Sequence, residues 1–432
     1  MDTITRFLEK YLLPVADTLG KNRYLLAIKD AFLITLPFTM FGSLFTVLVN
    51  LPFLTYLISD EKIQHFQDLI SPTVTLTTGI TALLVAAGIG YSLSTYYKVN
   101  PIYGALTSLS AFLMVTPITM TTESKEVVTN VFPISELGAV GMFTAIIVAF
   151  TATEFYRLAI HKNWTISMPS SVPKLVSDSF FSFIPVSLAL LVAFIIRTLF
   201  SFTSFNSLNS FIYQMLQTPL ENIGSTLIAT VFAAMLVNIF WFFGLHGHSI
   251  ALSIIAPIWQ VKSLENLQAF QAGKEIPNLI SESFTNFFAV NGGYISIPLL
   301  LCLLIFLKKK KDWQQLGKIA LVPGLFGVYE PLIFGLPVML NAVLFIPLML
   351  TPVITTTLSY AAMASGLVPY ATGVALPYTM PLIISGAIVT NSLRGALLQL
   401  VNLIILTAMW YVFMKVLYNQ SIKKEGQKNE TN

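Results

Sequence analysis

Long stretches of this chain carry no charged residue, and that constrains its fold more than any other feature. No Asp, Glu, Lys or Arg occurs in residues 31–59, 69–97, 99–122, 137–153 or 179–196. The same holds for 222–260, 283–307, 331–393 and 395–414. A helix that crosses a bilayer needs about 20 mostly apolar residues, so these stretches hold roughly eight to ten spans. Only 10% of the 432 residues are charged, against about 25% in soluble domains. The expected fold class is an all-α polytopic membrane protein.

The charges between the stretches alternate in sign. Arg6, Lys10, Lys21, Arg23 and Lys29 precede the first stretch, and Asp60, Glu61 and Asp68 follow it. Lys98 marks the next loop, then Glu123, Glu126 and Glu136, then Arg157, Lys162 and Lys174. Lys308, Lys309, Lys310, Lys311 and Lys318 form the densest basic cluster, and Lys423, Lys424 and Lys428 lie in the tail. Basic loops stay inside, so both termini are expected in the cytoplasm. The net charge of +4 is too small and too scattered for nucleic-acid binding. No h-region with a cleavage site opens the chain. Ile4, Phe7, Leu8, Tyr11, Leu12 and Val15 instead recur at helical spacing, which suits a helix lying on the inner membrane surface. Cys302 is the single cysteine, read as a small buried apolar residue.

Five spans fit the first half, near 31–52, 70–95, 101–119, 137–155 and 179–197. Residues 198–222 mix Ser, Thr, Asn and Gln with large apolar side chains, as in an interfacial linker helix. The expected organisation is a scaffold half over 1–197, the linker over 198–222, a transport half over 223–418 and a polar tail over 419–432. The second half is interrupted. Apolar arms of about ten residues flank Glu330, with Pro323, Gly324, Gly327, Pro331, Gly335 and Pro337 among them. Such arms are too short to cross and favour a re-entrant or broken helix, tolerated only where it is buried in protein or lines a cavity. Asn291, Gly292, Gly293 and Pro298 suggest a weaker version of the same interruption.

Glu330 is the only charged residue between Lys318 and Arg394. A carboxylate at membrane depth is costly and marks a functional site by default, while Pro331 also suits the first position of a helix that Glu330 would cap. His246 follows Trp241-Phe242-Phe243-Gly244-Leu245 and precedes Gly247-His248. Aromatic faces with few directional polar groups suit a polar ligand that has apolar faces, as sugars do. His248 is read as secondary, with a structural role. Pro377-Tyr378-Thr379-Met380-Pro381 is a third interruption and alone shows only a bend.

The run from Leu321 through Pro323-Gly324, Gly327, Tyr329-Glu330-Pro331 and Gly335 to Asn341 resembles the signature of sugar-specific IIC permeases. These are the membrane subunits of the bacterial phosphoenolpyruvate-dependent phosphotransferase system, here the lactose/cellobiose/diacetylchitobiose branch. The segments around Trp241 to Gly247, Met168 to Phe180 and Pro377 to Gly386 are similar to the same branch, and the resemblance covers nearly the whole chain. It implies ten spans with two re-entrant hairpins, a homodimer formed through the first half, and a second half that carries a sugar by an elevator-like movement. It implies that His246 and Glu330 grip sugar hydroxyls, with Trp241, Gly292, Tyr329 and Tyr378 around them. It also implies a β-linked disaccharide as substrate, a phosphorylated IIB subunit as partner and phosphoryl donor, and no cofactor. The chain departs from the family's usual Asn-Glu-Pro at Tyr329, from Pro-Trp-Thr at Tyr378, and from a usual proline at Ala342. An ion-coupled secondary transporter is the alternative, but such proteins often place several acids at the midplane. An intramembrane enzyme lacks a Gly-x-Ser-x-Gly elbow or a His-Glu-x-x-His motif here.

Overall fold

The charge-free stretches fold as helices. The computed structural model describes residues 18, 21–49, 60–121, 126–169, 171–243, 247–307, 310–336, 338 and 341–430. The expected surface helix over residues 4–15 and His246 lie outside the described residues. Six described helices are long and apolar enough to cross a membrane: Arg23–Gly42, Met142–His161, Lys174–Ser201, Glu282–Phe306, Val343–Ala364 and Leu393–Gln420. Pro101–Val115 and Leu227–Phe242 are shorter apolar helices. The chain is a multi-pass, all-α membrane protein, as its charge pattern requires.

The chain divides into two compact units, one of residues 20–49 and 55–223, the other of 1–19, 50–54 and 224–432. The first unit contains α1 (Arg23–Val49), α2 (Asp60–Thr75), α3 (Thr81–Tyr96) and α4 (Pro101–Val115). A two-stranded antiparallel ribbon follows, β1 (Thr119–Thr121) on β2 (Val127–Thr129), in the register Thr119 to Thr129. Then come α5 (Ile134–Leu137), α6 (Met142–His161), α7 (Lys174–Ser201), α8 (Leu208–Ile212) and, after a π-helical turn, α9 (Thr218–Gly224).

Three boundaries differ from the sequence reading. Residues 70–95 are not one helix: α2, with Pro72 inside it, ends at Thr75, and α3 begins at Thr81. The hydroxyls of Thr77 and Thr78 donate to the Thr73 and Val74 carbonyls across that break, replacing backbone bonds lost there. The end of the 101–119 stretch leaves the helix at Thr116 for the ribbon. The 198–222 segment is helical only in pieces. Asn209 and Gln217 within it are fully buried, donating to the Glu136 carboxylate at 2.8 Å and the Ala139 carbonyl at 3.1 Å. The nitrogens of both amides are thus paired inside the unit.

α3 packs centrally through small residues. A Cβ on Gly90 would lie 2.4 Å from the Gly104 carbonyl oxygen, so only glycine lets α3 and α4 meet this closely, the usual basis of tight packing between membrane helices. One end of the unit is tied by Glu154, which accepts from Tyr24 at 2.9 Å, from Arg157 at 2.9 Å and from Tyr97. The Arg157 guanidinium also lies 4.5 Å from the centre of the Tyr97 ring, joining α1, α3 and α6.

The second unit runs α10 (Leu227–Phe242), α11 (Gly247–Gln271), α12 (Glu282–Phe284), α13 (Gly293–Leu301), α14 (Lys311–Leu325), α15 (Glu330–Gly335), α16 (Ala342–Ala364), α17 (Ile384–Val389) and α18 (Leu393–Glu430). π-Helical turns at Thr285–Ala289 and Cys302–Phe306 lengthen α12 and α13. The polar tail after Tyr418 continues α18 up to Glu430. The core is aromatic and aliphatic, with Trp241, Phe242, Tyr294, Leu299, Cys302, Leu332 and Trp410 buried in one cluster.

Between Gly366 and Ile383 the backbone is largely non-helical, although the sequence there is apolar. Unpaired backbone at this depth would cost several kcal/mol per group, and buried side chains answer it. Asn266 Nδ2 donates to the Ala371 carbonyl at 2.9 Å, and Ser283 Oγ to the Val374 carbonyl at 3.1 Å. The Thr372 amide donates to the Val389 carbonyl at 2.7 Å. Gln399 Oε1 accepts from the amides of Ile383 (2.6 Å) and Gly386 (2.9 Å), while its Nε2 donates to the Phe287 carbonyl at 2.9 Å. Ile383 has φ +77°, a left-handed conformation that a β-branched residue adopts only under constraint. Gln399 supplies that constraint.

Candidate functional site

Three backbone breaks of the second unit meet at one place. The first follows the π-helical turn at Val290-Asn291-Gly292, where the Asn291 side-chain oxygen accepts from the Gly293 amide at 2.9 Å. The second separates α14 from α15 at 326–329, with Gly327 at φ +75°. A Cβ on Gly292 would lie 2.0 Å from the Gly327 carbonyl oxygen and 2.5 Å from the Tyr329 ring. Gly292 therefore allows the two breaks to touch. The third is the 377–381 segment, closed as a turn by the Met380 amide donating to the Pro377 carbonyl at 2.9 Å. Asn291 Nδ2 donates to the Asn286 carbonyl at 3.1 Å and points at the Tyr378 carbonyl at 3.5 Å.

Glu330 opens α15 with Pro331 behind it, and the Tyr329 carbonyl accepts from the amides of Leu332 and Ile333, both at 3.0 Å. Glu330 thus stands at a helix start, directly after the 326–329 break that touches Gly292. Behind it the Tyr329 ring packs on Trp241 with centroids 5.2 Å apart. Both rings are buried, at 3% and 1% exposure, so they act as backing for Glu330 and leave little surface for a ligand.

His248 joins these parts. The Trp241 indole N–H donates to His248 Nδ1 at 3.3 Å, so Nδ1 must be an acceptor and the ring proton sits on Nε2. That proton is donated to the Val290 carbonyl at 3.2 Å. The Tyr329 hydroxyl lies 3.4 Å from the same Nδ1. His248 thereby ties the end of α10, the Val290 break and the Tyr329 ring together, a structural role.

Of the sequence-derived residues, Trp241, Gly292, Tyr329 and Glu330 come together here. Tyr378 joins through its carbonyl only, and its ring is 63% exposed. Asn291 was read only as part of a weaker interruption, and Gln399 went unnoticed in the sequence. The signal for Gln399 was a lone amide, near Asn402, in the apolar run of α18. Charge at this site comes from a single carboxylate amid aromatic rings and backbone carbonyls, which suits a neutral polyhydroxyl ligand.

Residues 29–352 match the family described as phosphotransferase system, EIIC. The chain is 40% identical to the oligo-beta-mannoside-specific EIIC component of Bacillus subtilis (strain 168), over 97% of this chain and 95% of that protein. It is 35% identical to the cellobiose-specific EIIC component of Geobacillus stearothermophilus, over 98% and 96%. The crystal structure of the transporter ChbC, the IIC component from the N,N'-diacetylchitobiose-specific phosphotransferase system, superposes with a TM-score of 0.91. That match covers 97% of this chain and 99% of that one at 34% identity.

Proposed function

This chain belongs to the phosphotransferase-system EIIC family of sugar permeases, and from that premise we propose that it moves a β-linked disaccharide or short oligosaccharide to a IIB subunit. The observation that carries the reading is that three backbone breaks meet next to the start of the helix that Glu330 opens, where the Tyr329 and Trp241 rings are buried together. Glu330 accepts hydrogen bonds from a pair of sugar hydroxyls, and an ionised acceptor makes them strong. His246 supplies a second polar contact. The exposed Tyr378 ring covers a sugar face, while Trp241, Tyr329 and Gly292 hold Glu330 in place. The relatives named for oligo-β-mannosides, cellobiose and diacetylchitobiose share β-linked substrates, which supports the substrate class.

The second unit, over 223–418, carries the sugar in an elevator-like movement. The first half serves as scaffold and homodimer contact, and residues 198–222 connect the two. Both termini and the basic 308–311 loop face the cytoplasm, where that loop and residues 157–178 meet phosphorylated IIB. Cys302 is fully buried and cannot serve as an exposed thiolate phosphoryl carrier.

Reconstituted in vesicles, the protein should form sugar phosphate only when IIB and its upstream donors are on the cytoplasmic face. Sugar phosphate formation should persist in Cys302→Ser when IIB and its donors are supplied, since a buried thiol takes no part in the transfer. Sugar phosphate made without IIB, or with IIB on the outer face alone, would overturn the division of labour or the orientation. Uptake abolished by a protonophore without any sugar phosphate would instead favour ion coupling.

A further inference from the structure

The second unit holds a cavity of about 970 Å³ on the side of α13 and α18, which meets the candidate sugar site at Phe326 and Pro381 and extends from it along α18. Phe306, Leu325, Ile383, Leu403, Ala408 and Tyr411 are among its walls, and the Thr407 and Tyr411 hydroxyls are the only polar side-chain groups lining it. A sugar would find too few hydrogen-bond partners there. Along α18 the lining runs from Leu400 to Tyr411, a rise of about 16 Å at 1.5 Å per residue. One leaflet of hydrocarbon is about 15 Å deep.

Beyond the Tyr411 end of the lining, α18 and α14 carry basic and aromatic residues. Lys415 follows Tyr411 by one turn on the same face, its ammonium 5.7 Å from the centre of the Tyr411 ring. Tyr411 in turn touches Phe306, with centroids 5.4 Å apart. A turn further along α18, Tyr418 packs on Trp313 at 5.8 Å, and the Lys310 ammonium lies 5.3 Å from the Trp313 ring. Tyr and Trp mark the headgroup level of a bilayer, and lysines between membrane helices there bind anionic headgroups.

We propose that this cavity is a binding site for one anionic phospholipid, its acyl chain against Leu403 and Ala408 and its phosphate between Lys310 and Lys415. The site depends on the chain spanning a membrane and not on which sugar it carries. Acyl length fits the lining, and positive charge from Lys415 on α18 and Lys310 before α14 suits an anionic headgroup. The wall at Leu382 and Ile383 adjoins the sugar site, since a Cβ on Gly293 would come within 2.8 Å of the Leu382 side chain.

Native mass spectrometry of the full protein, extracted from nanodiscs of equal phosphatidylglycerol and phosphatidylcholine with matched acyl chains, tests this. The protein should retain phosphatidylglycerol in roughly thirtyfold preference, about what two lysines at a headgroup supply. Lys310→Gln with Lys415→Gln should abolish the preference. Ala408→Trp, which fills the cavity from an exposed position, should remove one retained lipid while sugar binding shows that the fold persists. Equal retention of the two lipids by the native protein would overturn the proposal, as would unchanged retention in Ala408→Trp. Conversion of dimer to monomer by Ala408→Trp with no lipid lost would mean that a second copy fills the cavity.

Discussion

Glu330→Gln should weaken sugar binding by about 1.5–3 kcal/mol, roughly 10- to 150-fold in Kd. The substitution keeps the shape of the side chain and its place at the start of α15, and removes only the ionised acceptor. Low dielectric around the site makes that loss larger than it would be in water. Tyr329 and Trp241 should remain packed, so the thermal midpoint should move little. Titration calorimetry across a panel of β-linked disaccharides measures both the loss and its selectivity. On the same panel Tyr378→Ala should lower affinity for every sugar, and His246→Ala should resemble the Glu330 variant. Native affinity in Glu330→Gln would remove the carboxylate from the site. Unchanged sugar rankings in Tyr378→Ala would put that ring outside it.

Gln399→Leu should be the most destabilising single change in the second unit. It strands the buried amides of Ile383 and Gly386 and removes the donor to the Phe287 carbonyl. Each buried group left without a partner costs about 1–3 kcal/mol, and the Phe287 carbonyl keeps the Tyr294 hydroxyl at 3.0 Å, so a loss of at least about 2 kcal/mol is expected. Ile383→Gly is the matched control. It relieves the positive φ of Ile383 and keeps the amide bonded to Gln399, so it should cost far less. Scanning fluorimetry of the two variants gives the comparison. Equal midpoints for Gln399→Leu and the native protein would show that the 377–389 backbone finds other partners.

How far the sequence foretold this structure depends on how local each cause is. The break at Glu330 was legible because everything that makes it lies within a dozen residues: a lone acid, a proline after it and glycines on both sides. The membrane class was legible for the same reason, since charge-free stretches are local facts. The non-helical strand between Gly366 and Ile383 was not. Its residues are as apolar as a span, and what keeps them from being one is Asn266, Ser283 and Gln399, distant in sequence. The role of His248 was equally hidden, because its acceptor nitrogen acquires meaning only when Trp241 and Val290 lie on either side of it. Residues 70–95 misled for the opposite reason. Uniform hydrophobicity outweighed Pro72 and the threonines that end α2.

The hydrogen bonds of the strand near Ile383 also bear on how fast such a permease can turn over. Every partner named for it, Asn266, Ser283, Val389 and Gln399, belongs to residues 224–432. If that unit shifts as a body within the bilayer, none of these bonds has to be exchanged on the way. The barrier to the shift then contains no term for baring a peptide group to hydrocarbon, a term worth several kcal/mol per group. What is left to set the pace is the rearrangement of lipid around the unit and the release of the sugar from its carboxylate. Turnover should therefore respond to bilayer thickness and fluidity more than to changes within the strand that leave its hydrogen bonds intact.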